Sequence, residues 1–455
     1  MKKRMCKIMA LAMTAAMVVP MAAQTTAFAA DDKEITYWNI AVESPDKDIV
    51  TAAVDKFNKE TESGYTVNQV AIQNDTYKEK LVIAMSSGEC PDMYSSWSGG
   101  PMYEYIDSGF AQPIDDLLDQ SDVKDKLLDA AIEQGSYNGH VYAIPYLNVS
   151  LAGIFYNKDM FKQYGLEEPK TLADLENICA TLKENGITPF ALANASKWTG
   201  SMYFMSLAAR YGGLEPFQNA VAGTGKFTDD CFIKAGEKIQ EWVKNGYFPD
   251  GVNSLSEDDG QAKQLMYQET AGMLLCGSWY TGTFQTDSEE FYQKIGWFPF
   301  PAIDDSDADP TIQIGTVGDQ FISFNCEGDK LAAAFECATD HLSDEVEDMI
   351  YSTGKIAPVK DAGDHIKDPV VKEIFDAAQE ASSIQLWYDQ YLPTSVATAH
   401  LDGLQEVFGL TKTPQEAQEE MQTAMDEYLS TKSDSGAADD TAEEATDDAA
   451  ADDAE

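Results

Sequence analysis

Arginine is almost missing from this chain. Outside the first few residues the sequence holds only Arg210. Acids dominate, with 78 Asp and Glu against 31 Lys and Arg and a net charge of −47. Such a chain repels nucleic acid and anionic lipid. Without forked guanidinium groups, recognition of phosphate or carboxylate is disfavoured, and a neutral or cationic ligand is favoured instead. Histidine is scarce too: His140, His341, His365 and His400 are scattered, and no C-x-x-C pair accompanies them, so no zinc site is expected. There is no G-x-S-x-G elbow, no phosphate-binding loop and no H-E-x-x-H. No cofactor is expected. Among so many acids a carboxylate pair suited to glycoside hydrolysis stays open, but none stands out.

The cysteines form no compact framework. Cys90, Cys179, Cys231, Cys276, Cys326 and Cys337 are an even set, which in an exported chain leaves disulfides open, but each sits among apolar or small residues and reads first as a buried thiol. The chain also lacks an apolar run long enough to span a bilayer. Its most apolar stretch, Ile8 to Met21, follows Lys2, Lys3, Arg4 and Lys7 and precedes Ala27-Phe28-Ala29, the pattern of a secretory signal peptide over 1–29. Cys6 lies before that run, so no lipid-attachment box is found in the usual place and the expected location is extracellular, secreted or cell-envelope associated.

What is present is alternation. Ile35 to Ile40 reads as a strand, Ser44-Pro45 opens a helix with Ile49, Val50, Ala53, Val54 and Phe57 on one face, and Tyr65 to Ile72 is a second strand. A helix carrying Tyr77, Leu81, Ala84 and Met85 ends at Gly88, and Pro91 to Trp97 is a third strand. This βαβαβ order predicts an α/β fold with a mostly parallel sheet, and ligands collect at the carboxyl ends of such strands. From Gly139 to Phe161 the sequence reads strand, polar crossing (Tyr146 to Ser150), strand and helix, with Asn157 as N-cap, as if the chain left one lobe for another. Strands near Ile295 to Phe298 and Gln320 to Asn325 suggest a return. Thr413-Pro414-Gln415-Glu416 is a capping box. The acidic stretch from Ser433 has too little apolar surface to order itself and is expected to be disordered.

Tryptophans cluster at element ends. Trp97 closes a strand beside a Ser/Gly loop that begins at Ser98. Trp198 precedes a helix, Trp279 follows a strand, and Trp387 lies in SIQLWYDQYLP. Rings of this kind stack on the apolar face of a sugar while nearby carboxylates and amides take its hydroxyls. Trp242, on a helix face with Ile239, reads as core, and Asp92 as structural.

These residues carry a resemblance. ITYWNI, YKEKLVIAMSSGECPDMYSSWSGG, GHVYAIPYLNVSLAGIFYNKDMF, AGMLLCGSWYTG, GDQFISFN and TGKIAPVK, in this order, make the chain similar to the extracellular solute-binding proteins of carbohydrate ABC transporters, the family that includes maltose-binding protein. The resemblance implies a two-lobed periplasmic-binding-protein fold of type II with several interlobe crossings and a ligand cleft between the lobes. The expected divisions are 30–145 and 313–348 for the first lobe, 146–312 for the second, 349–432 for second-lobe and hinge helices, and 433–455 for the tail. It implies a non-enzymatic monomer that binds a neutral oligosaccharide and docks on membrane permease subunits. Its ligand-binding residues would be Trp97, Ser98, Trp198, Trp279, Trp387, Tyr388 and Asp389, with Asn148, Glu43 and Asn39 added from loops at strand ends. A receptor for a cationic solute such as a polyamine, and a secreted glycosidase, are the alternatives.

Overall fold

The computed structural model describes residues 33–447, with side chains to 432. The expected signal peptide and residues 448–455 of the tail lie outside the described residues. Two sheets organise the chain, each covered by helices, in two α/β lobes.

The first sheet holds Glu34–Asn39, Thr66–Ala71, Met93–Ser96, Gln320–Phe324 and Ala143–Tyr146. Its first three strands are parallel, as the βαβαβ pattern predicts, and Gln320–Phe324 runs antiparallel between Met93–Ser96 and Ala143–Tyr146. Strand Glu34–Asn39 alternates, burying Ile35, Tyr37 and Asn39. The expected helix after it begins at Asp46 and buries Ile49, Val50, Ala53, Val54 and Phe57. Asp92 is structural: its carboxylate accepts from the Thr36 N–H at 2.8 Å and from Lys330 Nζ at 2.7 Å, tying the first strand to the helix Gly328–Asp340.

The second sheet is built on Ser150–Asn157, a strand buried at every residue, as expected where strands pair along both edges and helices cover both faces. Ala271–Gly277, Ile295–Phe298 and Gln313–Thr316 pair with it antiparallel, and Thr188–Phe190 and Ile384–Gln385 extend the edges. Ile295–Phe298 therefore belongs to the second sheet, not to a return. The return is made by Gln320–Phe324, while residues 313–316, expected to begin it, still pair with Ser150–Asn157. Helix Asp344–Ser352 packs on the first-lobe helix Asp46–Glu60, and only after it does the chain go back to the second lobe, where Pro369–Glu380 lies against Ile295–Phe298.

Caps explain several boundaries. The Asn157 side chain accepts from the Asp159 and Met160 N–H groups at 3.0 and 3.1 Å, starting helix Lys158–Tyr164. Thr413 and Glu416 cap each other at the start of the last helix, Pro414–Asp447. That helix runs past Ser433, where disorder was expected. An anchored helix adds residues without a new nucleus, and the alanines of this stretch favour propagation. Arg210, on helix Trp198–Gly212, is buried and donates to the carbonyls of Phe300 and Ile312, so the chain's isolated guanidinium serves packing. The five cysteines other than Cys90 are buried, and none of the six is bridged. Among the described residues no helix is long and apolar enough to cross a membrane.

Candidate functional site

The chain passes between the sheets at 147–149, at 317–319 and again after Ser352, and Asn148 fastens these passages. Its carbonyl accepts from the Asp319 N–H at 2.7 Å and its side-chain oxygen from the Ile356 N–H at 2.8 Å. Its amide donates to Ser278 Oγ at 3.2 Å. Leu147 takes a positive φ of 71° beside it, a backbone state that costs energy and is kept where surrounding contacts over-determine it. Asn148 is 1% exposed, a hinge tie and not a lining residue. Expected to face a ligand, it instead has partners for its polar atoms within the hinge.

Between the lobes lies a cavity of about 250 Å³. Tryptophans form one wall. Trp198 and Trp279 have ring centroids 6.1 Å apart, and Trp387 packs on Trp279 at 6.0 Å with planes at 67°. Trp97 lines the cavity from the first lobe, set edge-on to Tyr77 at 6.0 Å. Glycines permit these placements. A Cβ on Gly277 would sit 1.9 Å from the Trp279 ring, so G-x-W is needed for the ring to fold back over its strand end. A Cβ on Gly99 or Gly100 would strike the carbonyls of Gln390 or Leu392, so this loop admits the segment bearing Trp387 and Asp389.

Trp97, Trp198, Trp279, Trp387, Asp389 and Glu43 all line this cavity. Ser98, Tyr388 and Asn39 do not. Ser98 is 3% exposed, since the chain turns at Trp97. Tyr388 stacks on Phe217 at 4.2 Å inside the second lobe, because it points opposite to Trp387. Asn39 is fully buried, and its side-chain oxygen accepts from the Ala41 N–H at 3.0 Å, shaping its own turn.

Further lining residues went unread in the sequence: Lys78, Asp46, Glu257, Asp258, Lys263 and Asp319. Lys78 Nζ lies 4.9 Å over the Trp97 ring and 3.6 Å from Asp389. Lys355, whose side chain is 1% exposed, pairs with Asp46. Tyr280 donates to Glu257. Burial pushes the Glu257 carboxyl up to about 7 and that of Asp319 up to about 6, against the nearby charges of Lys263 and Lys355 respectively. Lys78 and its neighbours Gln73 and Asn74 follow the second strand's carboxyl end, so the strand-end rule applied there would have found them. The run Glu257-Asp258-Asp259-Gly260 offered only its charge. Among the described residues no cluster could hold a metal ion.

A wall of indoles packed at an angle to one another and edged with carboxylates and lysines can hold the apolar face of a ring and bond its hydroxyls. Comparison with known proteins fits this. The family model described as "Bacterial extracellular solute-binding protein" matches residues 41–338. An uncharacterised ABC transporter extracellular-binding protein of Pyrococcus horikoshii is 32% identical over 228 residues, 50% of this chain and 50% of that protein. The multiple sugar-binding protein of Streptococcus mutans is 30% identical over 178 residues, 36% of this chain and 39% of that protein. The chain thus spans half the length or less of these curated relatives. A solved structure titled for xylan utilisation by Caldanaerobius polysaccharolyticus superposes with a TM-score of 0.78 at 29% identity, over 86% of this chain and 99% of that one. Two α/β lobes, the cleft between them and a family match across most of both lobes agree: the chain belongs to the bacterial extracellular solute-binding proteins.

Proposed function

We propose that this chain is the extracellular binding component of an ABC importer, a monomer that captures a neutral sugar or oligosaccharide between its lobes and delivers it to membrane permease subunits. The Trp198–Trp279–Trp387 wall facing Trp97 carries the reading. One ring can bury roughly 150–250 Å², and at about 25 cal/mol per Å² of apolar burial a few rings give enough gross stabilisation for micromolar net binding after entropy and desolvation losses. The sugar named for the Streptococcus mutans relative and the xylan named for the solved structure support the ligand class. Arg210 is committed to backbone carbonyls away from the cleft, which argues against an anionic ligand. Binding without turnover is part of the proposal; the relatives are named as binding proteins. Export by a cleaved leader is part of it as well.

A second reading has its own observation. Glu43, Asp46, Glu257, Asp258, Asp319 and Asp389 line the cleft against Lys78 and Lys263, an excess that would suit a cationic solute. Native mass spectrometry of the protein carrying its co-purified ligand decides between them. A mass increment of hexose or pentose units supports the sugar reading; a polyamine or peptide increment overturns it.

A further inference from the structure

The two lobes touch directly at the mouth of the cleft, through groups from opposite sides of it. Helix Asn74–Ser87 of the first lobe has no cap of its own, because the Gln73 side chain makes no capping bond. Its Asp75 N–H instead donates to the carboxylate of Asp258, a second-lobe residue, at 3.1 Å. One turn further along that second-lobe segment, Lys263 lies 3.6 Å from Glu43 of the first lobe and 3.0 Å from Asp287 of its own. The loop that presents Asp258 is braced from within: the Asp259 N–H donates to Ser256 Oγ at 3.1 Å and the Gly260 N–H to the Glu257 carbonyl at 2.7 Å.

We propose that Asp258 and Lys263 are positioning residues that form an interlobe latch, in which the second lobe supplies the missing N-cap of the first-lobe helix Asn74–Ser87 and an ion pair to Glu43, favouring the closed clamp whatever ligand it holds. An orphan N–H at a helix start, at the positive end of the helix dipole, is a good acceptor's partner. Opening the cleft would return it to water. A bond made only in the closed state raises the closed population, and the apparent affinity of any ligand that needs that state rises in proportion. The inference rests on the lobes moving about the cleft, and not on the identity of the ligand.

The test reads the ligand-free protein. Nitroxide labels on Lys59→Cys in the first lobe and Asp230→Cys in the second report the interlobe distance distribution by pulsed electron spin resonance. Asp258→Ala and Lys263→Met are expected to move this distribution toward longer distances, with a roughly tenfold fall in the closed-to-open ratio for Asp258→Ala, the size a lost cap supports. Gln73→Ser gives the helix a local acceptor for the same N–H and is expected to open the clamp without altering the second lobe. Unchanged distances in all three variants would overturn the latch. Unchanged distances with weakened binding would overturn it equally, and make Asp258 a ligand contact alone, leaving the sugar reading untouched.

Discussion

Glu257 shows how far burial can move one group. Its carboxyl is pushed up to about 7 by desolvation, which outweighs the Tyr280 hydroxyl and the charge of Lys263. A carboxyl raised above its unfolded value binds its proton more readily in the native state. Its contribution to stability is complete below the unfolded pKa of about 4.5 and is lost as pH rises through about 7. Asp319, pushed up to about 6, acts in the same direction. His341 and His400 act oppositely: burial holds them down to about 4 and about 3, so their contribution is present above the unfolded value of about 6.5 and lost as pH falls through the native one. Replacing Glu257 with Gln should therefore leave the histidines less opposed. Melting of the wild type and Glu257→Gln is expected to show the wild-type advantage growing by a few degrees as pH falls from 8 to 5. A difference that is constant with pH would contradict the burial assigned to this carboxyl. Single residues were legible where their type had one good use: tryptophans at strand and helix ends fell into the cleft. Ser98, Tyr388 and Asn39, each beside a lining residue or strand end, did not, because which of two neighbours faces the cavity is set by the turn of the backbone.

At the scale of elements, the hinge is a junction of three chain passages and Asn148 is its rivet. A strand, a polar crossing and a strand were readable from Gly139 to Phe161, since Pro145 and the polar run break the apolar pattern. What the crossing residue does was not readable, because its partners, Ser278 and Ile356, lie more than a hundred residues away. Asn148→Ala would leave the buried Ile356 N–H without its acceptor, at a cost of about 1–3 kcal/mol. Urea denaturation should show that loss of stability in the ligand-free protein. A variant as stable as the wild type would contradict the hinge role assigned to Asn148. The antiparallel pairings of Ile295–Phe298 and Gln313–Thr316 were hidden for a similar reason: short apolar strands do not announce which sheet they join.

For the whole molecule, two lobes with separate sheets, joined at a tied hinge, make a clamp whose closing surfaces carry indoles on both sides. Alternation of strands and helices made the lobes legible early, while the polar contacts across the mouth depend on the lobes being brought together and leave no local pattern. The central claim is that a neutral sugar occupies the tryptophan wall. Calorimetric titration of neutral oligosaccharides into the wild type and Trp279→Ala tests it most directly. The account predicts micromolar binding by the wild type with a negative heat-capacity change, and an affinity weakened by about two orders of magnitude in the variant, equal to about 2.7 kcal/mol. Binding of no neutral sugar, with a polyamine bound instead in a steeply salt-dependent way, would contradict it.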